Sequence, residues 1–500
     1  MDSFISKFFR QSSHYALGEL LIFAAGFISF PILTRALTLS DYGVMSVYSA
    51  TLWIFMAFSR AGLSEASVRF FPEYGSKDDP VRRATFFSSL FTGTVGIVIP
   101  LVLVILLFGE RLFTLLFDKP MPYLHLLLAG QILANTLYTR TQSFWRAEQR
   151  SRDYTVALVI SRYFILLISL VFLFFVSKTL ISFFVGTLIA EMLIALCLVI
   201  LFFREAKPSL KLFSGPLFRE CLQFGLPLVG YELGYLALKS ADRYILQFML
   251  GAESVGLFSV ASNMAHYTKE LICVPLLFAL MPIYLQIWHE KGKEETIKFV
   301  SLVANYAVLL VLPIFFCFVL LRHELITILA SDKYAPAAQL LPWIVAGTMI
   351  SSLLAIYGAG LYIAKRTRTI SLYVVASVGV DIALNFILIH YFGMLGSCYA
   401  HLIVYSLLAC AIYYSAAKTL PLRIQPKTIG VAILASAAML GTGYLYPDIH
   451  GFVGLVFKAV VCCGIYGLMV FGTHRQIREP LVALVAARLS RLKIKATQAD

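Results

Sequence analysis

Apolar runs of about twenty residues recur from one end of the chain to the other, separated by short polar stretches rich in lysine and arginine. About twenty residues of α-helix are needed to cross a hydrocarbon core roughly 30 Å thick. The pattern predicts about fourteen membrane-spanning helices, over 13–34, 43–64, 84–109, 122–143, 154–176, 179–203, 220–242, 255–285, 296–321, 337–363, 369–391, 394–416, 428–446 and 452–472. The first reads as a retained helix. Glu19 interrupts it, it is longer than the apolar region of a secretory signal, and no small-residue cleavage site follows.

Composition strengthens this picture, since 60% of the 500 residues are hydrophobic and 14% charged, against about 25% charged in an ordinary soluble domain. A string of soluble domains, which length alone would suggest, is excluded. Positive charge tests the helix count, because Lys and Arg gather in cytoplasmic loops. With a cytoplasmic N-terminus and alternating sides, 29 of the 41 Lys and Arg fall in cytoplasmic segments and 8 in the opposite loops. The remaining 4, Arg60, Arg162, Lys269 and Lys458, lie within spans. An even number of spans with both ends cytoplasmic is expected. The net charge of +14 then expresses topology and attraction to anionic headgroups, not a nucleic-acid-binding surface. The eight cysteines sit in spans or at their cytoplasmic ends without CxxC spacing, so they read as small apolar fillers and no metal site is expected.

The chain also resembles itself. A shift of 213 residues lays Gly43 to Val47 on Gly256 to Val260, Glu19 on Glu232, Phe86 on Phe299 and Pro100 on Pro313. With a drift of three residues, Arg150 and Arg152 meet Arg366 and Arg368. Identities that keep their order through four helices and fall on polar, Pro and Gly positions indicate duplication. A repeat of six helices keeps both copies in one orientation, related by an axis along the membrane normal. The predicted layout is a six-helix bundle over 1–206, a second over 207–420, helices 13 and 14 over 421–474 and a tail over 475–500. In the tail Leu481, Val485, Leu489 and Leu492 follow helical spacing while Arg488, Arg491 and Lys495 take another face, the pattern of a basic amphipathic helix on the inner membrane surface.

The stretch FPILTRALTLSDYGVMSVYSA (Phe30 to Ala50) and its counterpart Phe224 to Ala265, with Ala241-Asp242-Arg243 followed by G-x-x-S, carry a wider likeness. Together with the count of six plus six plus two, they resemble the polysaccharide transporter branch of the multidrug, oligosaccharidyl-lipid and polysaccharide flippase superfamily. That resemblance implies an all-α polytopic membrane protein, with two bundles forming a V-shaped cavity that opens to either face in turn. It implies as cargo an undecaprenyl-diphosphate-linked oligosaccharide, turned to the outer leaflet of a bacterial inner membrane for O-antigen, capsule or exopolysaccharide. Polysaccharide polymerase and glycosyltransferases are the implied protein partners. In the similar lipid II flippases the last two helices help form a groove for the lipid tail.

Ionisable side chains inside a span cost about 3 kcal/mol each by insertion scales, so each is a functional candidate. Lys269 and Glu270 fall near the midplane, where a cation suits a diphosphate and a carboxylate could balance it or carry a proton; an ion pair locking two helices is the alternative. Glu19 and Glu232, at equivalent repeat positions, would line one cavity from opposite sides and bind a coupling H+ or Na+, unless they only hydrogen-bond within their bundles. Arg60 is a second candidate for the diphosphate or a headgroup anchor. Arg35, Asp242 and Arg243, near outer helix ends, form a candidate gate. Asp381, Asn385, Glu191 and His401 are expected to form a polar network of structural weight. Pro31, Pro227 and Pro275 permit kinks.

No GxxxxGK[ST] loop, HExxH pair or nucleophile elbow appears, so neither ATP hydrolysis nor another enzymatic step is expected. Two rivals remain open: a membrane glycosyltransferase, disfavoured by outer loops of only about six to sixteen residues, and a multidrug or small-molecule cation antiporter of the same superfamily, disfavoured by Lys269.

Overall fold

The structure, a computed structural model, describes the backbone of residues 2–75, 79–445 and 451–473, and their side chains apart from 2–16 and 272–279. The predicted amphipathic tail lies outside the described residues. All described secondary structure is helical. In chain order the α-helices are α1 (Asp2–Ala36), α2 (Leu39–Arg60), α3 (Leu63–Tyr74), α4 (Pro80–Phe117), α5 (Leu124–Ala147), α6 (Ser151–Val171), α7 (Leu180–Ala206), α8 (Gly215–Leu250) and α9 (Ala252–Thr268). They continue as α10 (Val274–Leu320), α11 (Arg322–Leu329), α12 (Leu341–Tyr357), α13 (Ala359–Ile363), α14 (Thr367–Phe392), α15 (Met394–Ala417), α16 (Pro426–Leu445) and α17 (Gly451–Thr473).

By length and apolarity, twelve helical stretches among the described residues qualify as membrane spans. The other two predicted segments, 122–143 and 255–285, fall on α5 and on the run from α9 into α10. At 24 residues α5 is long enough to cross, yet it buries Gln131, Asn135, Arg140 and Gln142. Its polar side chains are received by neighbouring helices instead of lipid, which lowers its hydropathy without removing it from the bilayer. In α10 the backbone breaks at Gly292 (φ 81°, ψ −169°), a left-handed conformation that glycine alone enters freely, and this separates the predicted segments 255–285 and 296–321.

Local chemistry sets the helix ends. Thr38 caps α2 by accepting the Asp41 N–H at 3.1 Å, and Asp79 accepts the Arg82 N–H at 2.9 Å ahead of Pro80, the first residue of α4. Segment 43–64 was expected to end in a loop. Instead Ala61 (φ 48°) and Gly62 (φ 66°) make a left-handed break, after which α3 continues the chain as helix. Leu63, Ala66, Ser67 and Phe70 of α3 are buried, so this amphipathic turn is held by packing. Arg60 therefore stands at a bend within a 36-residue helical stretch, Leu39–Tyr74.

The chain forms two compact units, residues 1–260 with 374–400, and residues 261–373 with 401–500. In the first, aromatic rings from α3, α4, α5 and α7 fill the core around Phe70, Phe86, Phe87, Phe144 and Phe202; Phe144 and Phe202 stack at 4.7 Å. Nearby, Arg150 bridges Glu148 (3.5 Å), Asp153 (2.7 Å) and Glu205 (2.6 Å), tying the ends of α5, α6 and α7 together. In the second unit α16 and α17 pack on α10 through Leu309, Leu320, Met439 and Val470, and the Tyr466 hydroxyl donates to the Leu309 carbonyl at 2.7 Å.

Within the first unit, positions 213 residues apart meet face to face. A Cβ added to Gly43 would come within 1.8 Å of the Ala252 carbonyl oxygen, and one added to Gly256 within 2.2 Å of the Leu39 carbonyl oxygen. Leu39 and Ala252, like Gly43 and Gly256, differ by 213. The Ser259 hydroxyl donates to that of Ser46 at 2.7 Å, another pair at the same separation. Such reciprocity is the signature of a local two-fold relation. A second echo is conformational. Gln149 (φ 59°) and Lys365 (φ 56°) each precede an arginine, with Arg150 N–H on the Trp145 carbonyl and Arg366 N–H on the Leu361 carbonyl, both at 2.9 Å. With the two hydroxyls so close, Ser46→Cys combined with Ser259→Cys in an otherwise cysteine-free chain should cross-link under mild oxidation. Failure to form that disulfide, seen as an unchanged gel mobility after cleavage between the two positions, would contradict the contact.

Candidate functional site

The first unit is organised by a seam between α2 and the helices α8 and α9. Gly62 and Gly225 bring the backbones together: a Cβ on Gly62 would lie 2.2 Å from the Gly225 carbonyl oxygen. Two turns further along α8, Glu232 accepts from the Arg60 guanidinium at 2.7 Å. Higher again, Thr51 and Tyr244 share a hydrogen bond of 2.9 Å. Arg60 is fixed from its own helix as well, since its Nε donates to the Met56 carbonyl at 3.2 Å. Glu232 is thus an ion-pair partner of Arg60 across the seam, while Glu19 is exposed on α1.

Further along α8, Asp242 is buried and accepts from the backbone N–H of Arg243 at 2.7 Å. Asp381 of α14 is buried within electrostatic range of it. A hydrogen-bonded chain continues from Asp381: the Asn385 amide donates to its carboxylate at 3.1 Å, and Ser397 of α15 donates to the Asn385 oxygen at 2.8 Å. The structure therefore brings Asp242, predicted as a gate residue, together with Asp381 and Asn385, predicted as a separate network. Arg35 is exposed and donates to the Pro31 carbonyl at 3.0 Å, and Arg243 is half-buried.

In the second unit Lys269 opens a single π-turn, Lys269–Cys273, between α9 and α10. The N–H that Pro275 lacks would have served the carbonyl of Leu271 within this turn. Such turns insert one extra residue into a helix and recur at functional positions. The Lys269 ammonium donates to the Ser351 hydroxyl of α12 at 2.8 Å, and Ser351 donates on to the Thr348 carbonyl. His401 of α15 is buried and shares a 3.4 Å contact with the Thr348 hydroxyl, within electrostatic range of Lys269. His401 therefore belongs with Lys269, and Glu270 beside it is exposed.

Glu191 of α7 does not join Asp381 and Asn385. It lies in the interior of the first unit, where the Asn135 amide reaches it at 3.4 Å and the Tyr138 hydroxyl at 2.5 Å. Sequence reasoning missed Arg140 altogether, because it falls near the end of a predicted span and was counted with the loop charges. The side chain is 1% exposed, and the contacts of its guanidinium are hydroxyls, Ser67 at 3.1 Å and Ser143 at 3.5 Å. The signal available was the polar run Thr139 to Ser143 closing an otherwise apolar segment.

These features, long apolar helices with charged clusters buried among them, define a polytopic membrane protein of the transporter type. The "Polysaccharide biosynthesis protein" family model matches residues 8–288, and the chain belongs to that family. A probable low-salt glycan biosynthesis flippase, Agl15, of Haloferax volcanii is 22% identical over 269 residues, 52% of this chain and 56% of that protein; the chain thus spans little more than half of that relative's length. Among solved structures, the lipid II flippase MurJ in an inward closed conformation superposes with a TM-score of 0.74 at 15% identity, covering 94% of this chain and all of MurJ. An inward-facing multidrug resistance MATE transporter gives 0.62 at 13% identity, covering 80% and 94%. At such identities the likeness establishes the fold.

The Arg60–Glu232 pair is partly accessible, with side-chain exposures of 23% and 38%, so its contribution is modest. A double-mutant cycle with Arg60→Gln and Glu232→Gln, read by thermal unfolding, should give a coupling of about 0.5–1 kcal/mol. Strictly additive single variants would remove the pair from the account of the seam.

Proposed function

We propose that this chain is a flippase that moves a lipid-linked oligosaccharide, carried on undecaprenyl diphosphate, from the inner to the outer leaflet of a bacterial inner membrane for polysaccharide biosynthesis. Both chain ends face the cytoplasm, no enzymatic step is its own, and polymerase and glycosyltransferases hand the cargo on and over. Membership of the polysaccharide biosynthesis family and the glycan flippase among its relatives support this reading. Two six-helix repeats, 1–206 and 207–420, work by alternating access, with helices 13 and 14 added. The reciprocal contact of Gly43 and Gly256 supports the repeat.

The observation that carries the proposal is the placement of Lys269. Its π-turn lies 17 residues into a helical run that starts at Ala252 and continues to Gly292, about 25 Å along the axis. An ammonium held that deep is costly, and it is a strong partner for phosphate oxygens. Lys269 contacts the diphosphate of the cargo, and Ser351 holds the side chain ready. Transport is coupled to H+ or Na+ at Asp242 and Asp381. Two like charges buried within range of one another are stabilised by an occupant that brings positive charge, and Asn385 and Ser397 supply further polar atoms beside them.

Lys269→Ala should abolish polysaccharide export at normal membrane levels of the protein, and Lys269→Arg should restore part of it. Full export by Lys269→Ala defeats the cargo assignment. Cation-dependent drug efflux from cells carrying the wild-type chain, with no effect on surface polysaccharide, would instead establish the antiporter alternative.

A further inference from the structure

The interior of the first unit holds a cluster that the proposed cargo path and the Asp242–Asp381 pair do not use. Glu191 of α7 is 5% exposed and Asn135 of α5 is 7% exposed. Each stands about halfway along its helix, 11 residues from the start, and so near the middle of the bilayer. Asn135 Nδ2 points at Glu191 Oε1 (3.4 Å) and at the Tyr138 hydroxyl (2.5 Å). Two oxygens of the same pair, Glu191 Oε2 and Asn135 Oδ1, are fully enclosed and have no hydrogen-bond donor at all. Buried acceptors without a donor are rare and expensive. Turning the amide over does not repair this, because Oδ1 would then face the carboxylate, two acceptors against each other.

The surrounding groups do not supply the missing partner. Tyr48 of α2 spends its hydroxyl on Gln131 at 2.6 Å. Arg162 of α6 is within electrostatic range but makes no ion pair with Glu191, and it is exposed. Arg60, whose charge also reaches Tyr138, is engaged by Glu232. What remains is a small enclosed site lined by a carboxylate, an amide oxygen and a phenol oxygen. That is an all-oxygen set with one formal negative charge, suited to a hard cation. Among the described residues no group of three or more His, Cys, Asp or Glu side chains gathers as a transition-metal or divalent site would require.

We propose that Glu191, Asn135 and Tyr138 form a binding site for one small monovalent cation, with Na+ the fitting probe, in the interior of the first unit. The cation would satisfy both donorless oxygens at once and tie α5 to α7. This site is separate from Asp242 and Asp381 and holds whether or not the cargo assignment is right.

The test uses the full chain purified into lipid nanodiscs without cargo, its thermal midpoint followed as NaCl replaces choline chloride at constant ionic strength. A ligand that binds the folded state alone raises the midpoint with its concentration. Wild type should show a Na+-dependent rise that is lost in Glu191→Gln and in Asn135→Ala, and retained in Asp381→Asn. In choline, Glu191→Gln should melt no lower than wild type, because the neutral isostere removes an unneeded charge. An undiminished Na+ response in Glu191→Gln and Asn135→Ala overturns the proposal. So does a response abolished only by Asp381→Asn, which would leave ion coupling at that pair intact. A wild-type midpoint indifferent to Na+ but sensitive to acid through Glu191 would assign the site to a proton and overturn the cation reading as well.

Discussion

The ion pair between Arg60 and Glu232 is the contact on which the first unit is aligned. It lies between two glycine approaches, Gly62 on Gly225 and Gly43 on the Ala252–Gly256 turn. Without apolar driving force between helices in lipid, close backbone approach at small residues and a few polar bonds decide which helices pair. Here glycine sets the separation and the charges set the register. Because α8 is a single helix of 36 residues, fixing it at Gly225 and Glu232 also fixes where Asp242 falls, ten residues beyond the glutamate. The bend at Ala61 and Gly62 belongs to the same device, since it is what presents Arg60 toward α8 instead of letting α2 run straight.

Charge in each unit is handled by a different economy of partners. In the first unit Arg60 has a carboxylate, whereas the enclosed Arg140 is met by serine hydroxyls and Glu191 by an amide. In the second, Lys269 is met by a serine. Strong ion pairs would lock such groups in one arrangement. Hydroxyls and amides satisfy direction without neutralising charge, which leaves the charge available to an anionic or cationic visitor.

Much of the fold was legible in the sequence because hydrocarbon imposes a single rule, about twenty apolar residues per crossing, and lipid-facing helices obey it openly. Where a helix is shielded by others, the rule weakens. The polar α5 was placed correctly as a span, but Arg140 near its end was assigned to a loop. The amphipathic α3 was taken for loop, since a helix packed on one side against aromatic rings has no long apolar run. The repeat was legible in register because Gly43, Ser46, Gly256 and Ser259 sit where the two copies touch, and contact preserves residue type. Partnerships between side chains were harder to read. Glu232 was set opposite Glu19 by repeat position, yet its nearest charge comes from the bend at Arg60, which spacing alone does not reveal. Asp242 and Asp381 were sorted into different groups because 139 intervening residues carry no signal of their meeting.

The most direct measurement of the central claim is leaflet exchange in proteoliposomes containing only this chain and a fluorescent undecaprenyl-diphosphate-linked oligosaccharide. A membrane-impermeant quencher reports the fraction of cargo in the outer leaflet over time. The account predicts that cargo trapped in the inner leaflet becomes quenchable far faster than in protein-free liposomes, and that the rate responds to an imposed H+ or Na+ gradient. Quenching indistinguishable from protein-free liposomes under every gradient, with robust uptake of an organic cation by the same vesicles, would contradict it.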